Sequence, residues 1–446
     1  MIKNYKLEDV KEEICKKENK ELYGEVFTPF SFTSKILDVI PEDTFKNPNL
    51  TWLDPGAGTG NFSIILYFKL LKNLEIEIQD IEERKNHIIK NMIYMVEIQY
   101  ENCLKLKNLF GEESNIYEGD FLNYSTQTKN KIPNKFDVIV GNPPFNTNGV
   151  KKVPTNNELD KKNDGKTLWF SFVSKSVELL KNNSGMLCMF IPSIWLKPDR
   201  EKIYYFLTQF NIKNLNCFSN SDTNKIFKGN AQTPSCYFLL TKSKSDKIIN
   251  IYDRYIDKYV DYYLKKDIPI PVCNIKIVNT LQKYCKNNNY IKVIKTNLPP
   301  KKTIISNFES KETPFPNITT TLLSKDGYMK PKIVINYSNV PLYGFNKEKL
   351  VLANKMYGLP YLDSSGIYGI SNRDNYIIYK DNVNDLDKLS KFLSTRLVLK
   401  VFDATRYRMK YLEKYAFELI PDITNIEDFP EEINDDTVNN YFNINV

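Results

Sequence analysis

The residues Asn142-Pro143-Pro144-Phe145 place an amide, two imino acids and an aromatic ring in four consecutive positions. That combination suits an amino group carried on a flat heterocycle. The Asn142 side-chain oxygen and the Pro143 carbonyl can accept hydrogen bonds from such a group, and the Phe145 ring can stack on the heterocycle. The prolines fix φ and donate nothing to a sheet, so the backbone here is stiff. Taken alone, Asn-Pro-Pro also suits a rigid turn after a strand, and both readings stay open until the rest of the chain is weighed.

The elements that must position these groups read as alternating strands and helices. Phe136-Asp137-Val138-Ile139-Val140, closed by Gly141, is a short β-branched run of the buried parallel kind. Its carboxyl end is where open α/β sheets bind ligands. Upstream, a strand over 51–54 ends in Asp54 and leads into Pro55-Gly56-Ala57-Gly58-Thr59-Gly60 and an apolar helix over 62–71. The three glycines suit either a nucleotide-binding loop or a tight strand–helix turn. A strand over 91–98 ends near Glu97, where an acid commonly binds ribose hydroxyls in nucleoside-cofactor folds. A strand over 115–121 ends in Asp120-Phe121, a carboxylate and a ring suited to an adenine. Each acid taken singly also fits a solvated loop.

Further elements follow the same logic. Residues 1–23 read as a charged amphipathic helix, and Gly24 to Pro29 breaks it. Helices are predicted from near Pro29 to Ile40, and over 99–110, 168–180 and 201–210. Strands are predicted over 186–192, 214–218 and 235–240. Residues 151–166 have no hydrophobic period, so they read as a solvated linker or as a lid carrying Lys151, Lys152 and Lys166 towards phosphates. Residues 225–231 read as a basic loop with one aromatic, Phe227. The stretch 242–247 reads as a boundary, dividing the chain into domains 1–244 and 245–446. The second half shows short strand-like runs at 291–294, 332–337, 350–353 and 376–379, and a helix over 386–399. Its Arg406-Tyr407-Arg408-Met409-Lys410-Tyr411 segment suits either phosphates and bases together or a solvated basic face.

Composition narrows the chemistry. The 446 residues and 41% apolar content fit two domains with full cores. No run of apolar residues is long enough to span a membrane, and no secretory leader is expected. Seven scattered cysteines without a C-x-x-C pair suggest a reducing, intracellular setting, cytoplasmic in a prokaryote, and no metal site. A single histidine, His87, set among charged residues, leaves little room for histidine-based acid–base chemistry. The net charge of +8 favours a polyanionic partner.

The order of these features resembles the gamma class of N6-adenine DNA methyltransferases of restriction–modification systems. The Phe-Thr-Pro turn precedes the Gly loop, then come Glu97, Asp120 and Asn-Pro-Pro-Phe. The resemblance covers about residues 20–245; the second half matches only in position, size and its basic Tyr segment. It implies an α/β fold: the Rossmann-like mixed sheet of S-adenosylmethionine-dependent methyltransferases with helices on both faces, plus a C-terminal α+β target-recognition domain. It implies S-adenosylmethionine as cofactor, with Thr28 and Pro29 at its methionine end. Asp54, Gly56, Gly58 and Gly60 would shape its pocket, Glu97 would take the ribose, and Asp120 and Phe121 its adenine. It places Asn142, Pro143, Pro144 and Phe145 on a flipped target adenine, with Phe227 touching that base from another side. DNA contacts would come from Lys151, Lys152, Lys166, Arg406, Arg408 and Lys410. The expected partner is duplex DNA, with a cognate endonuclease as a separate chain and the protein itself a monomer. RNA adenine or protein-glutamine methylation, and a non-catalytic DNA-binding module, are the alternative readings.

Overall fold

Apolar runs too short for helices become the centre of a sheet. In the computed structural model, residues 2–10, 26–124, 133–147, 166–199, 202–323, 331–354, 359–408 and 411–444 are described. The strands are β1 (Trp52–Asp54), β2 (Ile93–Glu97), β3 (Asn115–Glu118), β4 (Val138–Gly141), β5 (Asn146–Thr147), β6 (Lys166–Thr167), β7 (Met186–Pro192), β8 (Phe210–Phe218), β9 (Ser235–Lys244) and β10 (Ile248–Asp253). Every residue of β1, β2 and β4 is buried, as continuous apolar strands covered on both faces must be.

The helices of this part are α1 (Phe30–Leu37), α2 (Glu42–Phe45), α3 (Asn61–Asn73), α4 (Ile81–His87), α5 (Tyr100–Phe110), α6 (Trp169–Leu179), α7 (Ile203–Thr208) and α8 (Asn220–Ile226). The chain divides into two compact units, residues 1–195 with 199–252, and residues 196–198 with 253–446.

Within the first unit the sheet order is β10-β8-β9-β7-β4-β1-β2-β3. β1 pairs in parallel with both β2 and β4, β2 with β3, and β4 with β7. β9 runs antiparallel to β7 and β8, which makes the sheet mixed. The chain therefore builds outward from β1 to β3 and then returns to lay β4 on β1's other side. That reversal makes β1 and β4 a topological switch point, where the loops at the carboxyl ends diverge and leave a crevice. Asp54 ends β1 and Gly141 ends β4, so the Gly loop and Asn-Pro-Pro-Phe both leave from this point.

The second unit holds β11 (Lys258–Tyr263), β12 (Ile294–Lys295), β13 (Ile305–Ser306), β14 (Phe315–Leu323), β15 (Pro331–Ser338), β16 (Lys349–Ala353), β17 (Tyr361–Asp363), β18 (Gly369–Ile370) and β19 (Asn375–Ile378). Two four-stranded sheets, β12-β19-β16-β17 and β13-β15-β14-β18, form its β part. Its helices are α9 (Ile275–Leu281), α10 (Val383–Leu393), α11 (Arg396–Ala404) and α12 (Asp435–Phe442). No helix among the described residues is long and apolar enough to cross a membrane.

Four elements differ from the sequence reading. The first ten residues form two short 3-10 turns, Ile2–Asn4 and Leu7–Asp9, and residues 11–25 lie outside the described residues. Ile2 is fully buried in the core and Val10 packs against the same cluster, which anchors the segment at both ends. The 242–247 stretch is the end of β9 and the turn into β10, so the sheet continues through it. Residues 386–399 fall in two helices, because Thr395 caps α11 through Val398 N. Part of the expected 225–231 loop belongs to α8, started by a capping box between Ser219 and Asp222.

Candidate active site

The Gly loop is drawn tight by backbone geometry that other residues resist. Gly60 has φ +98, and a Cβ there would meet Leu106 Cδ2 at 2.8 Å. Gly58 has φ +55, and its missing side chain leaves room for the Phe27 ring at 3.4 Å. Ala57 N donates to Val96 O at 3.0 Å, which ties the loop to β2.

Two acids of the sequence reading hold this loop from inside. Glu97, 5% exposed, accepts from Gly58 N and Gln99 N, both at 2.7 Å. Asp54, 2% exposed, accepts from Ser63 Oγ at 3.1 Å. Burial pushes its carboxyl up to about 7, opposed by the Ser63 hydroxyl and the Gly56 amide, with a smaller upward push from Glu97.

The Asn-Pro-Pro turn closes against the same loop. A Cβ at Gly141 would stand 3.3 Å from Asp54 Oδ1, and one at Gly56 would touch Pro144 Cδ at 3.9 Å and Phe172 Cε1 at 3.7 Å. Asn142 Nδ2 donates to Thr28 Oγ1 at 3.0 Å and to Val26 O at 3.4 Å. Its Oδ1 is buried and has no hydrogen-bond partner among the described residues. Thr59 Oγ1, in the Gly loop, is also buried and unpartnered among them. Pro143 is buried, Pro29 and Pro144 are half-buried, and Pro29 opens α1.

The aromatic expectations divide. Phe145 is half-buried and lies 6.1 Å from Phe190 with its plane tilted 29°. Phe121, expected to stack on a cofactor ring, is 2% exposed and packs on Phe172 at 5.2 Å. Phe227, expected beside the target base, is 3% exposed and packs on Phe190 at 5.4 Å and Phe32 at 6.0 Å. In both positions the ring is buried against a phenylalanine, Phe172 of α6 beside Phe121 and Phe32 of α1 beside Phe227. Asp120 is half-buried, and its own turn uses both oxygens, accepting from Leu122 N and Asn123 Nδ2 at 2.9 Å each.

The basic candidates are less gathered. Lys151, Lys152 and Lys410 lie outside the described residues, and Lys166 is placed only by its backbone in β6, opposite Thr147. Arg406 Nη1 lies 3.4 Å from Asp403, and the exposed Arg408 lies 3.9 Å from Glu413. Tyr407 between them is structural, its hydroxyl donating to Ile270 O at 2.6 Å. His87 is structural too: Nε2 meets Pro48 O at 2.8 Å and Nδ1 meets Asn91 Nδ2 at 3.1 Å. No cluster of metal-binding side chains occurs among the described residues.

The sequence reading missed Val26, Asn61, Ser63 and Phe172. Asn61 Nδ2 donates to Thr28 O at 2.8 Å across 33 residues, and Val26 reaches Asn142 across 116, so no local spacing reveals them.

Comparison with known proteins bears on this site. Residues 61–227 match the family model of the Eco57I restriction-modification methylase. The matched stretch begins at the first residue of α3 and takes in β4 and the Asn-Pro-Pro-Phe turn. Among curated proteins, the chain is 34% identical over 149 residues to the Type II methyltransferase M.VspI of Vibrio sp., covering 33% of this chain and 31% of that protein. It is 25% identical over 305 residues to an uncharacterized adenine-specific methylase of Mycoplasma pneumoniae, covering 50% of this chain and 69% of that one. The chain thus spans under a third of the first relative's length. Among solved structures, the Type IIL restriction-modification enzyme MmeI in complex with DNA is similar, with TM-score 0.49 and 15% identity over 90% of this chain and 67% of that chain. The type I restriction enzyme EcoKI M protein is similar with TM-score 0.37 and 18% identity, over 53% of this chain and 49% of that one. The resemblance read from the motifs is borne out: the matching relatives are methyltransferases of restriction–modification systems and an adenine-specific methylase.

Proposed function

We propose that the chain transfers a methyl group from S-adenosylmethionine to the N6 amino group of an adenine in DNA. One observation carries this reading: Asn142, at the switch point beside the Gly loop, is held by its NH2 group and keeps a buried oxygen without a partner among the described residues. A buried acceptor without a partner is costly unless a ligand supplies the donor.

S-adenosylmethionine supplies a methyl group activated by its sulfonium. The residues that would hold it are the loop from Asp54 to Gly60, with the Thr59 hydroxyl, and Glu97, a carboxylate that suits ribose hydroxyls. Thr28, bonded to Asn142, would lie with Pro29 at its methionine end, and Asp120, two residues past β3, would face its adenine. The Asn142 oxygen and the Pro143 carbonyl accept the two N6 hydrogens. Drawn towards two acceptors, the nitrogen becomes pyramidal and its lone pair leaves the ring's π system. The displacement would then be direct and in line: the N–C bond would form as the sulfonium's S–C bond breaks, and the surplus proton on nitrogen would pass to solvent, with positioning supplying most of the acceleration. The same two oxygens stabilise the positive charge that develops on nitrogen. His87 is occupied structurally, which agrees with a reaction that needs no histidine base.

An adenine inside a duplex cannot reach this crevice, so the base is extruded, and the half-buried Phe145 ring is its stacking partner. The second unit, with the exposed Arg408 and with Arg406, serves as the target-recognition part, on duplex DNA. A restriction–modification setting with a separate endonuclease follows from the same reading. The test is transfer of labelled methyl from S-adenosylmethionine to DNA, RNA and protein side by side. Label in DNA adenine is expected; label in RNA or protein alone, or none at all, overturns the reading.

A further inference from the structure

A primary amide can turn about its last bond, exchanging an oxygen for an NH2 group of nearly the same size. At Asn142 only one orientation offers an acceptor to an amino group. The other sets donor against donor.

The Val26 carbonyl breaks that symmetry, and the Thr28 hydroxyl, which can donate or accept, anchors the amide beside it. Asn142 Nδ2 donates to Thr28 Oγ1 at 3.0 Å and to Val26 O at 3.4 Å. A carbonyl oxygen only accepts, so Val26 opposes an amide oxygen turned towards it. The Thr28 hydroxyl makes the shorter bond. The segment bearing both is itself pinned, since the Thr28 carbonyl accepts from Asn61 Nδ2 at 2.8 Å. Thr28 is 3% exposed and Asn61 7%, so water competes little for these bonds. A line of buried polar groups thus runs from the first turn of α3, through residues 26–28, to the end of β4.

We propose that Thr28 is a positioning residue for the Asn142 amide. It anchors the amide in place, the Val26 carbonyl sets the oxygen towards the reacting nitrogen, and Asn61 fixes the segment that carries both. The role rests on the adenine-transfer reading and gives the Thr28 hydroxyl a task on the amide, separate from any contact with the cofactor.

Thr28→Val keeps the shape and removes the acceptor, whereas Thr28→Ser keeps the hydroxyl. Single-turnover measurements with excess enzyme make slow variants readable. With cofactor saturating, T28V should slow methyl transfer about tenfold or more and T28S less than about threefold. Wild-type rates in T28V overturn the proposal. So does a loss in T28S equal to that in T28V, which would mark a role of shape and not of the hydroxyl. A wild-type chain that transfers no methyl group to adenine overturns the function instead, and that result is distinct from an active wild type matched by T28V.

Discussion

An amide side chain has one accepting and one donating end, and at Asn142 the donating end is already spent on Thr28 and Val26. Asn142→Ala removes the acceptor without touching the Gly loop. Methyl transfer should fall about a hundredfold or more, while cofactor Kd changes less than about threefold. A comparable loss of cofactor affinity would place Asn142 in the wrong half of the site. Asp54 makes a prediction of a different kind. Its carboxyl is raised to about 7 in the fold, above its ordinary range when unfolded. The folded state therefore holds a proton that the unfolded chain releases, and stability falls as pH rises from about 4 towards about 7. Asp54→Asn should flatten that slope in a Tm-against-pH series. An unchanged slope would show that another group causes it.

At the scale of elements, the loop after β1 depends on Gly60. Its φ of +98 and the 2.8 Å approach of Leu106 both resist a side chain. Gly60→Ala should lower stability by about 1–3 kcal/mol and weaken cofactor binding, read by denaturant unfolding and by titration. In the second unit, β16 and β17 are joined by a fully buried ion pair. Lys349 Nζ donates to Asp363 Oδ2 at 2.5 Å, Gly344 O at 2.9 Å and Lys347 O at 3.0 Å. Lys349→Met strands the Asp363 charge and should cost about 3–5 kcal/mol, and adding Asp363→Asn should recover part of that.

The legibility of the sequence also sorts by element. β1, β2, β4 and α3 were readable because burial on both faces writes unbroken apolar runs bounded by Gly, Pro or acids. α8 was missed although Ser219 and Asp222 carry a capping signal, since its turns lack an apolar stripe. Phe121 and Phe227 were read as ligand-facing from position alone. Their burial depends on Phe172 and Phe32, rings that no local spacing brings near. The hold on Asn142 was invisible for the same reason.

For the whole molecule, a net charge of +8 and the exposed Arg408 point to a polyanionic substrate. Arg408→Ala should weaken DNA binding similarly across sequences and lower the slope of log K against log salt by about 1. A sequence-selective loss would instead assign Arg408 to base reading. The central claim is the transfer itself, and modified-base sequencing of DNA from cells expressing the chain tests it most directly. N6-methyladenine is expected at one consistent sequence motif, and none when Asn142→Ala is expressed. DNA without N6-methyladenine from cells that contain the folded wild-type chain would contradict it.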